Sequence, residues 1–272
     1  MRSPEHAQRR ANSQDGAASE CRPGSARKRA EPLLAAAGLR RAFGPTVALD
    51  GVDLAIRAGE VVAVMGPSGS GKSTLLHCLA GILAPTAGEV RYRGARLDTL
   101  PEAVRSRLRR DDFGFVFQFG GLVAELDCIE NVALPLLLGG EKRRAASDRA
   151  AEWMDRLGVA QIAKRRPGEV SGGQQQRVAV ARALVTGPRV VFADEPTGAL
   201  DTLAGEAVLT ALLGAATEQG TTVVLVTHEH RVAAYAQREV VVRDGRLVPT
   251  SPQVAGATSQ GPDQGHRAWD PA

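Results

Sequence analysis

Cysteine is sparse in this chain. Its three residues, Cys21, Cys78 and Cys128, are odd in number and widely separated, and they form neither a CxxC pair nor a set with metal-ligand spacing. That pattern argues against a disulfide framework or a zinc site and fits reduced thiols in a cytosolic protein. Long apolar runs are missing as well. The densest, residues 132–138, contains Pro135 and falls far short of the roughly 20 apolar residues that a membrane-spanning helix needs. No internal repeat divides the sequence, so one copy of a single architecture is expected. Aromatic residues make up only 4% of the 272, yet 43% of the chain is apolar, enough to bury the core of one sizeable domain or two small ones.

Charge of one sign is in small excess, with 34 basic against 30 acidic residues and a formal net charge of +4. Residues 1–32 hold seven basic and four acidic groups, so most of the excess lies in this leading segment. Its Ser, Gly, Ala and Arg content without apolar periodicity predicts a disordered basic extension, for which weak attraction to anionic lipid is the sharper alternative. Residues 250–272 read as a disordered tail. The first apolar run, 33–39, is too short to be a secretory h-region, which keeps the expected location in the cytosol. Arginine outnumbers lysine 30 to 4, so the high pI records composition, and no nucleic-acid partner is expected.

Between the tails, short β-branched runs alternate with helical stretches, the pattern of an α/β protein with a largely parallel sheet. Residues 61–65 (VVAVM), 113–117, 190–193 and 223–227 read as buried strands. Residues 39–56 and 239–247 read as antiparallel instead, the latter with a hairpin turn at Asp244-Gly245. Helices are expected after Lys72, over about 101–110, over most of 141–160 and after Ser171.

Directly after VVAVM comes Gly66-Pro67-Ser68-Gly69-Ser70-Gly71-Lys72-Ser73, matching G-x-x-x-x-G-K-[ST] between a strand and a helix. Gly66, Gly69 and Gly71 allow left-handed backbone and close approach of successive N–H groups to an anion at a positively polarised helix end. Lys72 adds a point charge for the β- and γ-phosphates, Ser73 a hydroxyl for Mg²⁺, and Thr74 support for the loop or a cap for the helix. Residues 190–195 (VVFADE) end an apolar strand in two carboxylates. Asp194, on a strand expected beside that of the phosphate loop, is the candidate Mg²⁺ ligand, and Glu195 is the candidate general base for the water that attacks the γ-phosphate.

Between these halves stands Val170-Ser171-Gly172-Gly173-Gln174-Gln175-Gln176-Arg177. With it, the chain resembles the ATP-binding subunit of an ABC transporter, whose motif is usually L-S-G-G-Q; here Val170 replaces the leucine. The resemblance implies an α/β P-loop NTPase core with an antiparallel β subdomain and an inserted helical lobe at about 98–178, within a body of 33–249. It also implies a head-to-tail dimer in which each ATP lies between Lys72 of one subunit and Ser171, Gly172, Gly173 and Gln174 of the other. Further positions match the family. Phe43 stands where an aromatic stacks on adenine, Gln118 where a glutamine reaches Mg²⁺ and the attacking water, Asp201 in the segment that crosses the dimer interface, and His228 where a histidine contacts the γ-phosphate.

The wording around the motifs is similar to the lipoprotein-releasing and macrolide-exporting type, with an amino-acid importer ATPase as the nearest alternative and a soluble ABC ATPase acting on nucleic acid as a more distant one. That resemblance implies a separate integral membrane permease, with this chain held peripherally at the cytoplasmic face of the plasma membrane. Residues 119–135 are expected to lie against the permease, in a loop that Gly120 and Gly121 leave loose. Trp153, Leu157 and Ile162 are expected to pack inside the helical lobe.

Overall fold

The computed structural model describes residues 31–248. The basic extension and the C-terminal tail expected from the sequence lie outside the described residues, except for Glu31 and Pro32. The chain runs β1 (Leu34–Phe43), β2 (Thr46–Ile56), β3 (Val61–Met65), α1 (Lys72–Leu79), β4 (Ala87–Tyr92), β5 (Ala95–Arg96), α2 (Glu102–Asp111), β6 (Phe113–Phe117), α3 (Cys128–Leu138), α4 (Arg143–Arg156), α5 (Gly172–Leu184), β7 (Val190–Asp194), α6 (Thr202–Gln219), β8 (Thr222–Val226), α7 (His230–Ala233), β9 (Arg238–Arg243) and β10 (Arg246–Val248).

Two sheets form. One is antiparallel in the order β2-β1-β4-β5; the other is six-stranded in the order β10-β9-β3-β8-β7-β6, parallel throughout except for β10. All five residues of β3 and of β8 are buried, as strands covered on both faces must be. Their alternate side chains supply two cores. Val62, Val64, Phe192, Val224 and Val226 pack with Leu75, Leu76 and Leu79 of α1 and with Leu34, Leu49 and Ile56 of the antiparallel sheet. Val61, Val191, Ala193, Val223 and Leu225 face the opposite layer, where Trp153, Leu157, Ile162, Val178, Val180 and Leu212 are buried. Trp153, Leu157 and Ile162, expected to be packing residues, are therefore buried in this second core.

Three features depart from the sequence reading. First, β7 does not neighbour β3: β8 is inserted between them, and Asp194 pairs with Val226. Strand order is a long-range property that the local apolar runs do not encode. Second, the 239–247 stretch is an antiparallel hairpin, as expected, with Asp244 and Gly245 at positive φ, but β9 also runs parallel to β3 and so extends the main sheet. Third, α3 and α6 are helices where none was expected. In α3, Pro135 masks the signal, yet Asp127 and Glu130 form a reciprocal capping box and the Asn131 side chain satisfies the carbonyls of Val123, Leu126 and Asp127. In α6, apolar and small residues spread around the helix and blur its periodicity, while the Asp201 carboxylate caps its start through the Ala204 N–H at 2.9 Å.

No helix among the described residues is long and apolar enough to cross a membrane.

Candidate active site

The phosphate loop leaves the C-terminal end of β3, at the edge of the parallel sheet where such sheets bind ligands. Gly66, Gly69 and Gly71 all have positive φ, at 146°, 78° and 106°. Two of them are also forced by crowding: a Cβ on Gly66 would fall 2.1 Å from the Val242 carbonyl oxygen, and one on Gly71 would fall 2.4 Å from that of Ala48. Gly245, in the β9–β10 turn, braces the loop by donating its N–H to the Ser70 carbonyl at 3.0 Å, while its own carbonyl accepts from Asp50 at 2.9 Å. The Ser70 hydroxyl is buried without a hydrogen-bond partner.

Lys72 opens α1 and is only 5% exposed. Its ammonium donates to the carbonyls of Gly66 and Pro67, both at 2.9 Å, so the charge is folded back under the loop that it serves. Ser73 is exposed and Thr74 half-buried in the first turn of the helix.

An open cleft of about 410 Å³ lies over this loop, lined by Ser68, Gly69, Lys72, Ser73, Gln118, Asp194 and Glu195, with Phe117, Phe119 and Gly121 on one wall. The parallel sheet brings these residues together because β3, β6 and β7 all end on the same side. One oxygen of Asp194, Oδ1, is buried and has no hydrogen-bond partner. With the Ser73 hydroxyl and the Gln118 amide in the same cleft, it completes an oxygen set that suits Mg²⁺ or its bound water.

Glu195 follows Asp194 in the left-handed region, at φ 46°, a conformation that costs a non-glycine residue about 1 kcal/mol or more. Its N–H donates to the Val226 carbonyl at 2.9 Å and its carbonyl accepts from Gly198 at 3.0 Å, which fixes the strained turn. The Glu195 carboxylate meets His228 Nδ1 at 3.1 Å. Gly198 sits against both remaining partners: a Cβ there would fall 2.9 Å from Gln118 Nε2 and 3.4 Å from Glu195 Oε2. Gln118, Glu195, Gly198 and His228, from the three loops that follow β6, β7 and β8, thus form one cluster.

The turn carrying Gln118 is tied to a neighbouring helix, where the sequence predicts a loose loop. Gly120 and Gly121 adopt positive φ, and their carbonyls accept 2.8 and 2.7 Å bonds from the Arg182 guanidinium on α5. A fixed bend needs the same glycines that a flexible loop would use.

Other sequence-predicted residues stand outside the cleft. Phe43 ends β1, 45% exposed, with the Arg41 guanidinium 4.5 Å from its ring centroid. Ser171 caps α5: its hydroxyl accepts from Gln174 N–H at 3.3 Å, and the Gln174 side chain accepts from Ser171 N–H at 3.0 Å. Gly172 and Gly173 lie against Leu200 and Ala204, beside the exposed Asp201 cap. None of these residues lines the cleft, so the cleft of one chain lacks them. Sequence reasoning missed Gly245, Val242 and Arg182. The Asp-Gly turn was legible, but its contact with the phosphate loop was not.

A family model described as "ABC transporter" matches residues 49–198. The chain is 45% identical over 240 residues to "Macrolide export ATP-binding/permease protein MacB 1" of Aeromonas hydrophila, covering 85% of this chain and 37% of that protein. It is 44% identical over 221 residues to "Lipoprotein-releasing system ATP-binding protein LolD 2" of Caulobacter vibrioides, covering 80% of this chain and 97% of that protein. The chain thus spans little more than a third of the first relative and nearly all of the second. Among solved structures, a dimeric ATP-binding cassette in a post-hydrolysis state with ADP and Pi superposes with a TM-score of 0.73 at 38% identity, covering 79% of this chain and 96% of that one. With a P-loop at the end of β3, two carboxylates at the end of β7 and a serine-capped α5 between them, and with these matches across its body, the chain belongs to the ABC transporter family and carries its ATP-binding cassette.

Proposed function

We propose that this chain binds and hydrolyses ATP as the energising subunit of an ABC transporter of the lipoprotein-releasing or macrolide-exporting type, acting on a permease supplied by another chain. The observation that carries the reading is the single cleft holding Lys72, Ser73, Gln118, Asp194 and Glu195, with His228 on the Glu195 carboxylate. The separate permease follows the pattern of the LolD relative, whose length the match nearly fills. By this reading the chain is held peripherally at the cytoplasmic face of the membrane.

In this proposal the phosphate-loop N–H groups and Lys72 bind the phosphates, and Phe43 takes the adenine. Ser73, Gln118 and Asp194 hold Mg²⁺, which when bound neutralises charge on the phosphate oxygens. Glu195 accepts the proton of the attacking water, His228 contacts the γ-phosphate while its Nδ1 meets the Glu195 carboxylate, and Gln118 positions the water. The exposed Ser171–Gln174 turn and Asp201 complete the cleft of a second copy, head to tail. The presence of these residues outside the cleft of their own chain supports that arrangement, as does the dimeric state of the matched cassette. Residues 33–249 constitute the ATP-binding unit, and deletion of residues 1–30 leaves turnover intact.

The test is Mg²⁺-dependent ATP hydrolysis by the purified full chain, together with affinity purification from membranes. Release of phosphate and co-purification of an integral membrane protein are expected. Absence of hydrolysis both alone and with the membrane fraction would refute the ATPase reading, and hydrolysis without any membrane partner would refute the transporter role.

A further inference from the structure

Gln118 hangs on a turn whose backbone is held from one side by a single helix. The turn runs from Phe117 to Gly121 and makes few bonds of its own: Gly120 N–H to Phe117 at 3.1 Å and Gly121 N–H to Phe119 at 2.7 Å. Three further bonds come from α5. The buried Gln176 side chain donates to the Phe117 carbonyl at 2.8 Å, and the two terminal nitrogens of Arg182 donate to Gly121 and Gly120 at 2.7 and 2.8 Å. The carbonyls on both sides of Gln118 are therefore clasped by α5.

Arg182 is a costly way to hold a turn. It is half-buried, burial lowers its affinity for its proton, and among the described residues no carboxylate lies within ion-pair distance of it. The half-buried guanidinium directs its donors to backbone carbonyls and not to a carboxylate. The guanidinium fork matches two adjacent carbonyls that Gly120 and Gly121, both at positive φ, turn toward it. A lysine ammonium is a point donor and cannot span both in the same way.

We propose that Arg182 is a positioning residue for the hydrolytic step, fixing the turn that aims Gln118 into the cleft and tying that turn to the helix whose other end presents Ser171. The inference rests on the assignment of Gln118 to the ATP site. The same α5 begins at the Ser171 cap and reaches Arg182 about 16 Å further on, so a shift of the Gln118 turn is transmitted along a rigid element to the surface that completes a second cleft.

The test uses the full chain carrying Arg182→Lys, Arg182→Ala, Gln118→Ala and the double variant Gln118→Ala/Arg182→Lys. Arg182→Lys should melt near the parent temperature, with kcat down about tenfold or more and KM for ATP within about twofold, because misaiming a positioned group costs turnover before affinity. In the double variant, Arg182→Lys should cost no more than about a further twofold, since both changes remove one function. Independently of activity, hydrogen exchange should quicken at residues 117–121 in the nucleotide-free Arg182 variants and stay unchanged at the start of α5. Parental kcat in a folded Arg182 variant, a multiplicative loss in the double variant, or unchanged exchange at 117–121 would each overturn the proposal. If Gln118→Ala alone keeps parental turnover, the Gln118 assignment fails instead, and exchange alone decides whether Arg182 holds the turn. Should Arg182→Ala not fold, Arg182→Lys carries every readout.

Discussion

His228 Nδ1 lies 3.1 Å from Glu195 Oε1, and the glutamate that receives it is locked at φ 46° by bonds to Val226 and Gly198. The backbone strain fixes where the carboxylate points, and the imidazole fixes which way its oxygens turn. Replacing Glu195 by Gln keeps the shape and removes the base. Glu195→Gln should retain ATP binding, lose turnover by about a hundredfold or more, and accumulate a nucleotide-bound dimer on size exclusion. His228→Ala should lower kcat less than Glu195→Gln does. Parental hydrolysis by Glu195→Gln would show that Glu195 is not the base.

Lys72 should behave differently. Its ammonium is buried and held by two carbonyls, so Lys72→Ala removes the charge that the loop encloses. ATP affinity or turnover should drop by orders of magnitude, measured by nucleotide-binding titration and phosphate release. A normal rate in this variant would remove the phosphate-site assignment.

Gly198 tests the cluster without touching a charged group. A methyl group there would sit 2.9 Å from Gln118 Nε2 and 3.4 Å from Glu195 Oε2, while its backbone φ is compatible with alanine. Gly198→Ala should leave the melting temperature nearly unchanged yet lower kcat by about tenfold, because it displaces both side chains. Equal kcat in Gly198→Ala and parent would show that Gln118 and Glu195 do not work in this arrangement.

Cys78 and Cys128 are both buried and free, and burial pushes the Cys78 thiol up to about 11. Since the thiolate is the reactive form and burial bars the reagent, neither should react with a maleimide at pH 8 in the native protein. Both should react once the protein is unfolded. Rapid native labelling at Cys78, mapped by mass spectrometry, would contradict the packing of α1 between the two sheets.

Much of the site was readable in the sequence because it is local. The glycine spacing of the phosphate loop, the paired acids after an apolar strand and the Ser171-Gly172-Gly173-Gln174 helix start each occupy a few consecutive residues, and their backbone demands appear directly as residue types. The positive φ of Gly66, Gly69 and Gly71 follows that spacing. Helix α3 was hidden because Pro135 argues against a helix more loudly than the Asp127–Glu130 capping box argues for one, and the Asn131 bonds that steady its first turn come from folded loops.

The sequence by itself determined the chemistry of this protein: a loop that cradles phosphate, a lysine beneath it, two acids for the cation and the water, and a serine-capped helix. Only the tertiary structure decided that β8 separates β3 from β7, that a side chain at position 198 would crowd Gln118 and Glu195, that Gly245 braces the phosphate loop, and that Arg182 bonds a turn whose glycines read as loose. The difference is physical. Backbone conformation is dictated by neighbours in the chain, whereas strand order and contacts between loops are fixed by which apolar faces bury one another, a choice made jointly by segments more than a hundred residues apart, as when Gly59 bonds Thr222.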